Sequence, residues 1–133
     1  DNKKINLIDQ SYNSNPLSLK SAIKNFDKIS SKKSNKYLLI GDMLELGRHS
    51  KKLHQSIAPI INQTKIDKVF VKGKMASIIF AGISKAKKGR ILFNKSQIIE
   101  LIRKDLNNND YLMIKASLAT GFNDIVKDLK GFN

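Results

Sequence analysis

The chain is predicted to fold as an α/β domain, a mostly parallel sheet of about five to six strands with helices on both faces. Two patterns carry this. Five short apolar runs, Ile5 to Ile8, Tyr37 to Ile40, Val69 to Val71, Ile91 to Phe93 and Tyr111 to Ile114, are too short for helices and lack polar alternation, as strands buried on both faces do. Between them, apolar residues recur with helical spacing. A third observation concerns function. Polar and glycine-bounded segments follow the runs at their carboxyl ends, where open α/β sheets bind ligands.

Taken in order, the first strand leads into Asp9-Gln10-Ser11-Tyr12-Asn13-Ser14-Asn15-Pro16. Leu19, Ala22, Ile23 and Phe26 then fall on one helical stripe, and Pro16 suits its first turn. The second strand empties into Gly41-Asp42-Met43-Leu44-Glu45-Leu46-Gly47. Leu53, Ile57, Ile60 and Ile61 repeat the stripe behind it, with Pro59 inside, so a kink or an early end is expected there. After the third strand come Lys72-Gly73-Lys74 and a short buried helix over Met75 to Ile83. Asn94, with Gln97 three residues on, forms a capping pair for the stripe of Ile98, Ile99, Ile102 and Leu106,. The last strand runs into Lys115-Ala116-Ser117, and Phe122, Ile125, Val126 and Leu129 predict a closing helix.

With 133 residues the chain is one domain's worth, and residues 1–133 are expected to form a single domain,. It opens on Asp1 rather than Met and reaches its first strand almost at once. An excised piece of a longer protein is therefore expected. The absence of cysteine excludes a disulfide scaffold and any thiolate metal site,. No apolar run approaches the roughly 20 residues needed to cross a bilayer, so no membrane span is expected. The formal charge of +14 invites a nucleic-acid partner,. The excess is nearly all lysine, scattered over every element, with arginine only at Arg48, Arg90 and Arg103. A solvated basic surface is the expectation, attraction to a phosphorylated small ligand comes second, and nucleic acid last.

No phosphate-cradling loop is present, since Gly73-Lys74 lacks the other residues of a P-loop,. No metal site is expected either: there is no HExxH motif, and His49 and His54 lie five residues apart, off a common helical face,. Asp9 can accept hydrogen bonds from ligand hydroxyls, Tyr12 can stack, and Asn13 and Asn15 can donate and accept. Equally, Asn15 or Ser14 can simply cap the helix behind Pro16. Asp42 and Glu45 are candidate ligand groups, or solvated residues of a turn that Gly41 and Gly47 permit. Lys115 and Ser117 can hold an anion, or Ser117 can cap the final helix.

The segments IDQSYNSNP, LLIGDMLELGRHS with His54 following, VFVKGK and MIKAS, in this order, resemble the C-terminal domain of the Mur ligases over essentially the whole chain. SYNSNP and GDMLELG resemble the branch that adds a D-alanyl-D-alanine dipeptide. The resemblance implies a Rossmann-like domain of a three-domain cytoplasmic enzyme of peptidoglycan synthesis, inactive by itself. Such a ligase uses ATP and Mg2+, bound mainly by a central domain that this chain lacks. Its substrates are ATP, D-Ala-D-Ala and a UDP-N-acetylmuramoyl tripeptide whose carboxylate is activated as an acyl phosphate; its partners are the N-terminal and central domains. By motif position, Asp9 lies near the ATP ribose, with Tyr12, Asn13 and Asn15 lining the nucleotide side of an interdomain cleft. Asp42, Glu45, Lys115 and Ser117 face the dipeptide or the phosphates. Two departures stand out: Gln10, where relatives commonly have a second acid, and Ala116, where they usually have glycine. Alternatives are another Mur-type ligase, such as a folylpolyglutamate synthetase, and a standalone basic module that binds nucleic acid.

Overall fold

The computed structural model describes residues 3–10 and 14–115. Five strands, β1 (Asn6–Gln10), β2 (Lys36–Gly41), β3 (Lys68–Lys72), β4 (Lys88–Ile91) and β5 (Tyr111–Lys115), form one sheet in the order β1-β5-β2-β3-β4. Every neighbouring pair is parallel, as the predicted fold class requires. The pleat sends alternate side chains to opposite faces. Leu38, Ile40, Val69, Val71 and Met113 enter one core, and Leu39, Phe70, Leu112 and Ile114 the other. Both faces are therefore apolar, which explains the continuous runs in the sequence.

Among the described residues, α1 (Pro16–Asp27) packs on the first face, where α2 (Ser50–Gln55) lies against α3 (Ile57–Asn62) and α4 (Ala76–Gly82), which themselves enter the core. The second face is covered by α5 (Lys95–Glu100) and a π-helical continuation, Leu101–Asp105, which supply Ile98, Leu101 and Ile102. Local chemistry sets several ends. The Ser18 N–H donates to Asn15 Oδ1 (2.9 Å) and the Asn15 N–H to Ser18 Oγ (3.1 Å), a reciprocal cap ahead of Pro16,. Asn94 Oδ1 accepts from the Gln97 N–H at 2.9 Å, as its spacing predicted, while Gln97 Oε1 reaches back to the Phe93 N–H at 2.6 Å. The stripe around Pro59 divides into α2 and α3 at Ser56. A proline ring crowds the carbonyl four residues earlier; here that is Gln55, the last residue of α2, and Pro59 falls in the first turn of α3.

The fourth strand differs from expectation: it occupies Lys88–Ile91, not Ile91 to Phe93. Its polar residues are matched to aromatic rings from other elements. Lys88 Nζ lies 5.3 Å from the Phe80 ring centre, and the Arg90 guanidinium 5.4 Å from that of Phe70,. A Cβ on Gly89 would come within 2.6 Å of the Phe70 ring, so this position needs glycine to let the ring approach,. The predicted closing helix over Phe122 to Leu129 lies outside the described residues.

At the amino-terminal edge of the sheet, lysines serve the backbone. Lys36 Nζ, buried on a central strand, donates to the carbonyls of Asp27 (2.7 Å) and Ile29 (3.1 Å) at the end of α1. Lys3 Nζ does the same for Arg103 and Leu106 at 2.7 and 2.6 Å. Part of the basic excess thus satisfies carbonyls that helices leave without partners.

Candidate functional site

The strand order places the carboxyl ends of β1, β5, β2, β3 and β4 side by side along one edge. At about 4.8 Å per strand it is roughly 19 Å wide. Asp9 and Gln10 lie at one end, Lys115 next, then Asp42 to Gly47, then Lys72 to Lys74, with Phe93 at the far end. Tyr12, Asn13 and Ser117 lie outside the described residues.

The edge has two sides, and the predicted residues do not share one. Leu7 packs into the α5-side core and Ile8 into the α1-side core, so alternation puts Asp9 on the α5 side and Gln10 on the α1 side. Lys115 follows Met113 onto the α1 side. Gln10 and Lys115 are register partners on adjacent strands. They line a cleft of about 290 Å³ between β1, β5 and α1, with Ser18, Ser21 and Asn25 opposite and Ile8, Phe26 and Met113 beneath. Lys115 is only 4% exposed, and burial pushes its pKa below the usual lysine range,. Asn15 is exposed at this edge with its side-chain oxygen engaged in the α1 cap.

The loop after β2 is fixed at its start and open at its tip. The Ala76 N–H donates to Asp42 Oδ1 at 2.7 Å, so this carboxylate holds the first turn of α4,. The Met43 N–H donates to His54 Nε2 at 3.1 Å, and the Met43 side chain is buried in the core. Leu46 packs against the same core. Between them Leu44 and Glu45 are exposed, and Glu45 has φ +61°. A non-glycine residue in the left-handed region costs of order 1 kcal/mol and persists where its surroundings enforce it. Gly47, at φ +62°, completes the turn and leads into the 3₁₀ turn Gly47–His49.

His54 is a residue of α2. It is fully buried, with both ring nitrogens used. Its five-residue offset from His49 argued against a metal but gave no sign of the Met43 bond. Among the described residues no three His, Asp or Glu side chains converge on a metal site. The edge also carries the large exposed apolar side chains among the described residues: Leu17 (77% exposed), Phe93 (73%) and, less so, Leu44. No helix of the described residues is long and apolar enough to cross a membrane.

Comparison with known proteins agrees with this architecture. The UDP-N-acetylmuramoyl-tripeptide–D-alanyl-D-alanine ligase of Bacillus subtilis (strain 168) is 32% identical over 128 residues, covering 94% of this chain and 28% of the relative. The ligase of the same name from Buchnera aphidicola subsp. Acyrthosiphon pisum is 34% identical over 125 residues, with 92% and 26% covered. The chain thus spans little more than a quarter of these relatives. The crystal structure of MurF ligase from Thermotoga maritima in complex with ADP superposes with a TM-score of 0.78 at 23% identity, covering 96% of this chain and 28% of that one. MurF from Acinetobacter baumannii gives 0.78 and 23%, with 97% and 29% covered. These two likenesses establish the shared fold. A family model described as Mur ligase, glutamate ligase domain, matches residues 1–118, and the chain belongs to that family.

Proposed function

We propose that this chain is the C-terminal domain of an ATP-dependent ligase that joins D-Ala-D-Ala to a UDP-N-acetylmuramoyl tripeptide. The observation that carries it is the 32% identity to the Bacillus subtilis ligase of that name across 94% of this chain. In the reaction, the tripeptide carboxylate attacks the γ-phosphate of ATP, giving an acyl phosphate and ADP. The dipeptide amine then attacks the acyl carbon and expels phosphate as the amide forms.

This chain's share is to close over the reacting groups, exclude water from the hydrolysable acyl phosphate and position the dipeptide. Leu17, Leu44 and Phe93, exposed on the carboxyl edge, suit contact with a second domain of the same protein,. Asp9, on the α5 side of β1, attends the nucleotide together with Tyr12, Asn13 and Asn15. Asp42, Glu45, Lys115 and Ser117 face the dipeptide or the phosphates, Asp42 with one oxygen already holding α4. Mg2+ is assigned mainly to the central domain of the full-length protein. The cytoplasm, where such precursors are made, is the proposed location.

The test is phosphate release by the full-length protein carrying this chain. It should require ATP, the UDP-linked tripeptide and D-Ala-D-Ala together. Release that ignores the dipeptide would overturn the assignment, as would tight binding to nucleic acid that falls steeply with salt and ignores nucleotide.

A further inference from the structure

We infer that His54 is a positioning residue: through its Nε2 bond to the Met43 N–H it sets the aim of the loop that presents Glu45. This rests on the proposal that Glu45 faces the dipeptide.

His54 sits in α2 with no exposed surface. An imidazole so buried must satisfy both nitrogens or bear a large desolvation cost. Its Nδ1 lies 2.8 Å from the Ser50 carbonyl oxygen, one turn back in the same helix, and so carries the proton and donates it,. Nε2 is thereby the acceptor, and the Met43 N–H at 3.1 Å is its donor. The Ser50 bond thus selects the tautomer that can hold the loop. The loop's other fixed points are the Asp42 bond to Ala76 and the packing of Leu46. With residues 42, 43 and 46 tied down, the backbone has only Leu44 and Glu45 with which to turn, and Glu45 takes φ +61°. Releasing Met43 would leave two of three ties and free the neighbouring residues to relax out of the strained conformation. His54 itself is enclosed and touches no ligand, so it acts only through Met43.

Two substitutions separate the functions of the ring. Glutamine places an oxygen near the position of Nε2 and can still accept from Met43. Asparagine reaches only as far as Nδ1, so it can serve Ser50 but not Met43. In the full-length protein, His54→Asn should raise KM for D-Ala-D-Ala about tenfold, the size of one lost buried hydrogen bond, while KM for ATP stays put. His54→Gln should restore most of that affinity. Selective 15N-methionine labelling supplies a readout that needs no turnover: the Met43 amide resonance should move upfield in His54→Asn and stay near the parent position in His54→Gln. Loss of active enzyme with every KM unchanged would mark His54 as merely structural and overturn the inference, as would an unmoved dipeptide KM in His54→Asn. If the parent protein ligates nothing, the proposed function fails by itself, and the Met43 shift still reports whether the tie exists.

Discussion

The Asp42 carboxylate lies directly over the Cα of Gly73, so closely that a Cβ built there would stand 2.3 Å from Oδ1. Gly73 has φ +126°, a conformation that L residues rarely adopt,. One glycine therefore allows the β3–α4 turn to pass beneath the acid that caps α4, and two neighbouring edge loops become a single unit. Gly73→Ala should destabilise the protein by about 3 kcal/mol from backbone strain and contact combined. Asp42→Ala should itself cost about 1 kcal/mol by releasing the Ala76 N–H, and the double variant should be less destabilised than the two single costs together, by the contact part,. Denaturant unfolding of these variants checks this, and a Gly73→Ala protein as stable as its parent would refute the packing described.

Glu45 offers a separation of stability from function. Asparagine tolerates the left-handed region better than glutamate does, so Glu45→Asn should leave stability equal or raised by about 0.5 kcal/mol. The apparent affinity for D-Ala-D-Ala should fall in the same variant. Unfolding curves and dipeptide titrations of the ligation rate, measured side by side, decide the matter. An untouched dipeptide affinity would return Glu45 to the status of a solvated turn residue.

Lys115 should make stability depend on alkaline pH. Burial lowers its native pKa, whereas the unfolded chain keeps an ordinary lysine value of about 10.4,. Between those two values the unfolded state binds more protons, so stability rises with pH across the window and levels off above it. Lys115→Met should lack this gain, and the difference between wild type and variant measured at several pH values should shift towards wild type as pH rises. Gln10→Glu should reduce the slope, because a carboxylate at the register partner on the same face would favour the charged amine,. A wild-type-minus-variant difference that stays flat with pH would exclude the burial effect.

Lys36 tests the opposite edge. Lys36→Met would leave the carbonyls of Asp27 and Ile29 without their donor and should cost about 1–3 kcal/mol,. The kinetic constants of the folded fraction should not move, since the residue lies a strand's length from the carboxyl edge. A changed dipeptide or ATP affinity would show that the two edges are coupled.

Leu17 and Phe93 test the docking of a second domain. Because both are largely exposed, Leu17→Ser and Phe93→Ser should alter this chain's stability by less than about 0.5 kcal/mol,. Ligation by the full-length protein should nevertheless fall about tenfold for Phe93→Ser, the effect expected of one interfacial aromatic contact. Full activity in both would remove this edge from the interdomain contact.

The sequence by itself determined the alternation of strand and helix, the Asn94 cap and the break near Pro59, and it narrowed the cap of the first helix to Asn15 or Ser14. Each depends on residues within a few positions of one another, through side-chain spacing or capping. Only the tertiary structure decided the rest. Asp9 and Gln10 are adjacent in sequence, yet the pleat and the packing of Leu7 and Ile8 send them to opposite faces of the sheet. Lys88, Gly89 and Arg90 read as a connection because the Phe70 and Phe80 rings that accommodate them belong to other elements. Asp42 and Ala76 are 34 residues apart, and His54 meets Met43 only because α2 folds back beneath the loop. Such pairings form between distant parts of the chain, and no local pattern encodes them.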